Sequence, residues 1–99
     1  MSRKVVFSKR FRTKLYLLFD YLETQWTVKV RNEFEEKLYS SINTIVQMPE
    51  IFPKSDLRKS NYKCVVTKQT TIFYSFNSKE IKIADILDTR QDPKNIKIN

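Results

Sequence analysis

Histidine and glycine are both missing from this chain of 99 residues. Without histidine there is no imidazole to move protons near neutral pH and no His-ligated metal site. Without glycine there is no glycine-rich phosphate loop of the Walker or Rossmann kind. Cysteine occurs once, as Cys64, which excludes an intrachain disulfide and a cysteine cluster. Its place in a β-rich stretch fits a buried small hydrophobe better than a reactive thiol. No apolar run approaches the length of a membrane span, and no secretory signal is recognisable. These absences predict a cytoplasmic protein with no metal and no cofactor.

What the chain has in plenty is positive charge. Its net charge is +8, and Arg3, Lys4, Lys9, Arg10, Arg12 and Lys14 all precede the first acidic residue. Such a surface favours an anionic partner: nucleic acid, the ribosome, an anionic membrane or an acidic protein. The plainer reading is a charge that only keeps a small protein soluble. A 40% hydrophobic composition is globular rather than disordered, and the length allows one core and therefore one domain, residues 1–99.

Lys4–Phe7 is a short apolar run that suits a strand. Ser8 can then cap a helix whose apolar stripe is Phe11, Leu15, Leu18, Leu22 and Trp26. Thr24–Thr27 reads as the connection, with Thr27 as the next cap. Val30, Phe34, Leu38, Ile42 and Ile45 mark one face of a second helix, which Pro49 ends. Residues 49–61 form a connector that Ile51, Phe52 and Leu57 should dock to the core. Tyr62–Lys68, Thr70–Phe76 and Glu80–Leu87 are three strands joined by short polar turns. In the last, Ile81 and Ile83 give way to Ala84 and Ile86 on the opposite parity, which requires a bulge or a strand covered on both faces. The expected fold class is α+β: an N-terminal strand, a helical hairpin, then a three-stranded antiparallel meander, together one small sheet packed by two helices. Residues 94–99 are expected to be a loose tail.

This order resembles the RelE/ParE family of toxins from bacterial type II toxin–antitoxin, or plasmid stabilisation, modules. The resemblance runs from about Val5 to Pro93. It rests on the Phe/Leu stripe of the first helix, the Trp26-Thr27 joint, and Phe34, Leu38, Ile42, Ile45 and Pro49. Leu57-Arg58, Ile72-Phe73-Tyr74 and the closing run Ile86 to Pro93 complete it. It implies a growth-inhibiting toxin neutralised by a cognate antitoxin with an acidic binding segment. It further implies one of two actions, ribosome-dependent cleavage of mRNA (RelE-like) or inhibition of DNA gyrase (ParE-like). It does not say which residues meet the antitoxin.

Cleaving RNA requires a base for the 2′-hydroxyl, a cation for the phosphorane and an acid for the leaving oxygen. Arg58, Lys63, Lys68 and Arg90 are the residues that could stabilise charge, and with Lys59 they are the expected contacts to nucleic acid or another target. Arg58 matches the family's Leu-Arg pair, and Arg90 its basic residue after the last strand. Lys63 takes a strand position where mRNA-cutting members often carry arginine. Each has a plainer role as a solvated or edge-protecting cation. Asp88 could act as a base, although an ion pair with Arg90 or a turn cap fits a carboxylate there better. Glu50 is more simply a solvated loop residue, and Tyr74 a core residue with a satisfied hydroxyl. No histidine or tyrosine follows Pro93, so the acid–base set is incomplete. The sequence therefore favours a ParE-like inhibitor over a RelE-like endoribonuclease. An inactive basic binding module is the third reading.

Overall fold

The computed structural model describes residues 3–58 and 60–90. The elements run in the order β1 (Lys4–Phe7), α1 (Lys9–Gln25), α2 (Val28–Gln47), β2 (Tyr62–Val65), β3 (Thr70–Phe76) and β4 (Glu80–Asp88). The four strands form one sheet in the order β1-β4-β3-β2. The meander is antiparallel, and β1 closes it by pairing parallel to β4, Val5 opposite Ile81 and Phe7 opposite Ile83.

Both helices begin where a hydroxyl can take an orphan amide. Ser8 Oγ accepts from Phe11 N at 3.0 Å and Thr27 Oγ1 from Val30 N at 3.0 Å, caps worth about 1 kcal/mol each. Ser8 does more than cap. Its hydroxyl donates to the Ala84 carbonyl at 2.7 Å and its N–H to the Ile83 carbonyl at 3.0 Å, fixing the start of α1 against the side of β4. The hairpin joint is tighter than expected, since Thr24 is still helical and only Trp26 and Thr27 lie between the helices. Trp26 leaves the apolar stripe and stands 54% exposed, because the chain has already turned out of helical geometry there. Arg31 ties the hairpin together. Its guanidinium carbon lies 4.3 Å from the Phe19 ring centroid and its Nη1 2.5 Å from Glu35 Oε1. Its Nε forms an ion pair with Glu23 Oε2 at 3.1 Å, without hydrogen-bond alignment.

Phe11, Leu18, Leu22, Phe34, Leu38 and Ile45 meet Cys64, Ile72, Tyr74, Ile81, Ile83 and Ile86 in one core, with Leu15 and Ile42 packed partly buried at its margin. Tyr74 is fully buried, and its hydroxyl donates to the Pro49 carbonyl at 2.6 Å, anchoring the end of α2 to the sheet. Phe52 packs edge-on to the same ring, at 6.3 Å. Ile51 and Leu57 do not join it; both are exposed. The connector is held instead by polar bonds, including Lys63 N to the Pro53 carbonyl and Ser55 N to the Asn61 carbonyl.

Two strand boundaries depart from expectation. β2 stops at Val65, because Thr67 Oγ1 accepts the Gln69 N–H and bends the chain into a turn through Lys68. In β4 the register skips a residue: Phe73 pairs with Asp85 but Tyr74 with Ile83, leaving Ala84 unmatched. That bulge reconciles the parity switch. It keeps Ile81, Ile83 and Ile86 all on the helix-covered face and turns Asp85 to the other, open face. No helix among the described residues is long and apolar enough to cross a membrane.

Candidate functional site

The open face carries Lys63, Phe73 and Asp85 in one row across β2, β3 and β4. Asp85 is the hub of the site. It is only 6% exposed, because three cations from two elements cover it. Lys14 Nζ approaches Oδ1 at 2.8 Å, Arg10 Nε approaches Oδ2 at 3.2 Å, and Arg58 Nη1 approaches Oδ2 at 3.3 Å. Arg10 and Lys14 lie one turn apart on α1 and share its face toward the sheet edge. Burial alone would push the Asp85 carboxyl up. The bonds from Lys14 and the Ile86 N–H, with the charges of Lys14 and Arg10, together outweigh burial and hold it below the usual carboxylate range.

Arg58 owes its position to the connector. Ser55 Oγ accepts the Leu57 and Arg58 N–H groups at 3.1 and 3.0 Å, and Arg58 Nε donates to Asn61 Oδ1 at 2.9 Å. Ser55 and Asn61 are both buried, so the loop that presents Arg58 is itself fixed. Among the described residues Arg10 meets Asp85 through Nε, which leaves its two terminal nitrogens toward a ligand, and the cluster carries two more positive charges than negative. Beside it lies a hollow of about 320 Å³, lined by Ser55, Asp56, Leu57, Lys63, Thr71, Phe73 and Leu87.

Arg58 and Lys63 thus come together on the open face, and Arg90 does not join them. Arg90 grips Asp88 through Nε at 3.1 Å, Nη2 at 2.8 Å and its own N–H at 2.9 Å. Asp88 faces the core side, level with Thr70, and also accepts the Thr70 hydroxyl. Its carboxylate is 3% exposed, so Asp88 is a turn and ion-pair residue, closed to a substrate hydroxyl. Lys68 is exposed in the β2–β3 turn and Glu50 is exposed after α2; neither belongs to the Asp85 cluster. Lys59, the 91–93 end of the closing run and the expected tail, residues 94–99, lie outside the described residues.

The arrangement can hold an anion but has little with which to move a proton. Burial pushes the Tyr74 phenol up, and that hydroxyl is turned into the core. Burial likewise raises the Cys64 thiol, against a smaller opposing bond from Ser41, which leaves it a poor nucleophile. Among the described residues no three His, Cys, Asp or Glu side chains stand together as a metal site.

Asp85 gives a pH prediction. Its folded carboxyl lies below its unfolded value of about 3.9, so its stabilisation is complete above that value and is lost as pH falls through the folded one. Asp85→Asn should cost about 1–3 kcal/mol at neutral pH. It should also flatten the acid limb, so that the gap from wild type narrows as pH falls below the ordinary carboxylate range. Urea unfolding of both chains across that range measures the gap; a constant gap would mean that Asp85 does not titrate with folding.

Sequence reasoning missed Asp85, Arg10 and Lys14. Two signals pointed to them: the parity switch around Ala84, and two cations spaced i,i+4 immediately after a helix cap.

The sequence model of the ParE toxin of type II toxin–antitoxin system parDE matches residues 5–93. Among solved structures, the chromosomal ParDE toxin–antitoxin system from P. aeruginosa superposes with a TM-score of 0.74 at 9% identity, covering 87% of this chain and 95% of that one. The YoeB/ParE toxin from Agrobacterium tumefaciens gives 0.63 at 11% identity, covering 86% and 96%. The E. coli DinJ-YafQ toxin–antitoxin complex gives 0.63 at 10%, covering 91% and 96%. At these identities the likeness is one of fold. The curated proteins offer no match in sequence.

Proposed function

Because the chain belongs to the ParE toxin family of type II toxin–antitoxin systems, we propose that it arrests growth in the cytoplasm by binding a protein target of the DNA gyrase kind, without cutting nucleic acid, and that an antitoxin neutralises it. One observation carries the choice of mechanism. The cations of the open face surround a carboxylate held ionised by its partners, and no histidine, tyrosine or cysteine lines the hollow beside them to serve as a general acid. Charge stabilisation without proton transfer suits recognition better than transesterification. The antitoxin is supported by solved relatives that are themselves toxin–antitoxin complexes.

A RelE-like endoribonuclease is the second reading, favoured by the same cluster, since three convergent cations would suit a phosphorane. The experiment is to induce this chain alone in a bacterial host and follow growth, plasmid supercoiling and mRNA ends. Arrest with relaxed plasmid and intact mRNA is expected. Arrest with newly cut mRNA on ribosomes would replace gyrase by the ribosome as target. Unimpaired growth with folded protein would remove the toxin and leave a basic binding module.

A further inference from the structure

Cations that converge on one point are a common way to hold an anion brought from outside. Here the point is already taken. Arg10 and Lys14 come from α1 and Arg58 from the connector, and all three meet on Asp85 of β4. Both oxygens of that carboxylate are engaged. Oδ1 takes Lys14 Nζ and the Ile86 N–H, each at 2.8 Å, and Oδ2 takes Arg10 Nε and Arg58 Nη1. The Asp85 side chain is 8% exposed, against 67% for Arg10. The cations lie at the surface and the anion lies among them.

A carboxylate and a phosphate diester present the same thing to such a cluster: two oxygens that share a negative charge and fit the arginine fork. Only one of them can occupy the point of convergence. Asp85 does so as part of the sheet, opposite Phe73, and a group tethered in place competes at an effective concentration of about millimolar or more. A phosphate that entered would have to displace it, and would then lie against a buried like charge. Without Asp85 the cluster would carry three positive charges and no negative one. The donors left over, among them the two terminal nitrogens of Arg10 and the Lys63 amine, belong to separate side chains. They suit the scattered carboxylates of a protein surface better than a single phosphate.

We propose that Asp85 is the specificity-determining residue of the open face: its carboxylate fills the position that a nucleic-acid phosphate would take and so withholds the cluster from RNA and DNA. The inference rests on the reading of that face as one that recognises a protein, and it names the residue that makes it so. The same three cations without Asp85 are a phosphate site.

The test compares the full wild-type chain with Asp85→Ala and the milder Asp85→Asn at neutral pH, with the arginine side-chain nitrogens isotopically labelled. The probes are inorganic phosphate and an oligouridine. On the wild type, neither should move the Nε resonances of Arg10 and Arg58 in a saturable way. On Asp85→Ala, phosphate should shift both, and the oligouridine should bind at least tenfold more tightly than to the wild type. The slope of log affinity against log salt should steepen by about 0.7 for each phosphate newly held. Asp85→Asn should gain in the same direction. Glu36→Ala, at an exposed site on α2, makes the same change in net charge and should gain little. Equal gains from Asp85→Ala and Glu36→Ala would overturn the inference, because net charge alone would then explain them. No gain in folded Asp85 variants would overturn it too. So would saturable phosphate binding at Arg10 and Arg58 of the wild type, a result that needs no variant to fold. Any of these leaves the toxin reading standing. Newly cut mRNA after induction would instead count against the protein-target reading, whatever the phosphate result.

Discussion

Asp88→Ala is expected to destabilise the domain by about 3–5 kcal/mol, the range seen when one member of a buried ion pair is removed. The carboxylate accepts four hydrogen bonds, from the Thr70 hydroxyl and from Arg90 N, Nε and Nη2. Thr70 is fully buried and the Arg90 side chain is 17% exposed, so neither recovers full hydration once Asp88 is gone. For a domain of this size each kcal/mol moves the melting temperature by roughly 4–8 °C, and the whole stability of such a domain is only about 5–15 kcal/mol. The variant should therefore melt at least about 12 °C lower. Asp88→Asn, which keeps an acceptor for Thr70, should lose less. Thermal unfolding by circular dichroism decides the matter, and an unchanged midpoint would mean that water serves Arg90 and Thr70 as well as the carboxylate does. The same geometry changes what Arg90→Glu would report. A second carboxylate against buried Asp88 unfolds the chain end, so lost toxicity in that variant would speak of folding and not of target contact.

Arg58→Glu should have the largest effect on growth inhibition at little cost in stability. Arg58 is 39% exposed along its side chain and its pair with Asp85 is one of three, so solvent screening leaves a folding cost of about 1 kcal/mol or less. The electrostatic change at the surface is much larger. Replacing one cation by an anion takes the cluster from two net positive charges to none. An incoming acidic surface then meets neutrality where it had attraction, and association slows as well as weakens. We expect at least a tenfold rise in the concentration needed for growth arrest, equivalent to about 1.4 kcal/mol. Arg58→Lys should recover part of it, keeping the charge and losing the fork. Titrated expression of each variant, with melting temperature as control, measures the effect. A loss of a hundredfold or more with a normal fold would favour cleavage over a broad binding surface, since removing a charge stabiliser costs chemistry about 10²–10³-fold.

Much of the fold was legible because it depends on periodicity. Phe11, Leu18 and Leu22 recur at helical steps, and Ile72 and Tyr74 at strand steps; both sets fill the core. Caps and prolines marked the joints, and Ser8 and Thr27 stand where a short hydroxyl side chain should. What sequence could not give was orientation once periodicity stopped. Leu57 and Ile51 are apolar but lie in a connector without a repeat, and polar bonds of Ser55 and Asn61 decided where that loop went. Val65, Val66 and Thr67 look like a continuing strand, yet a local bond from Thr67 to Gln69 ended it. Arg58 and Arg90 looked equivalent as charges in the chain. Their difference is topological, since one reaches the open face and the other a carboxylate on the core side.

Ala84 has the smallest side chain in β4, and its consequence is one of phase. A strand assigns its residues to two faces by odd and even count, and the unmatched Ala84 advances that count by one for everything after it. Upstream of it the strand is written in one reading frame, downstream in another. Paired regularly through Ala84, the strand would keep a single frame and exchange the two faces from Asp85 onward: the cationic hub would point into the helices, and Ile86 would point to water. Deleting Ala84 would by contrast remove only the bulge and leave Asp85 and Ile86 on their present faces, so the geometry of the charged face is set less by the charges than by how one uncharged residue is left without a partner across the sheet.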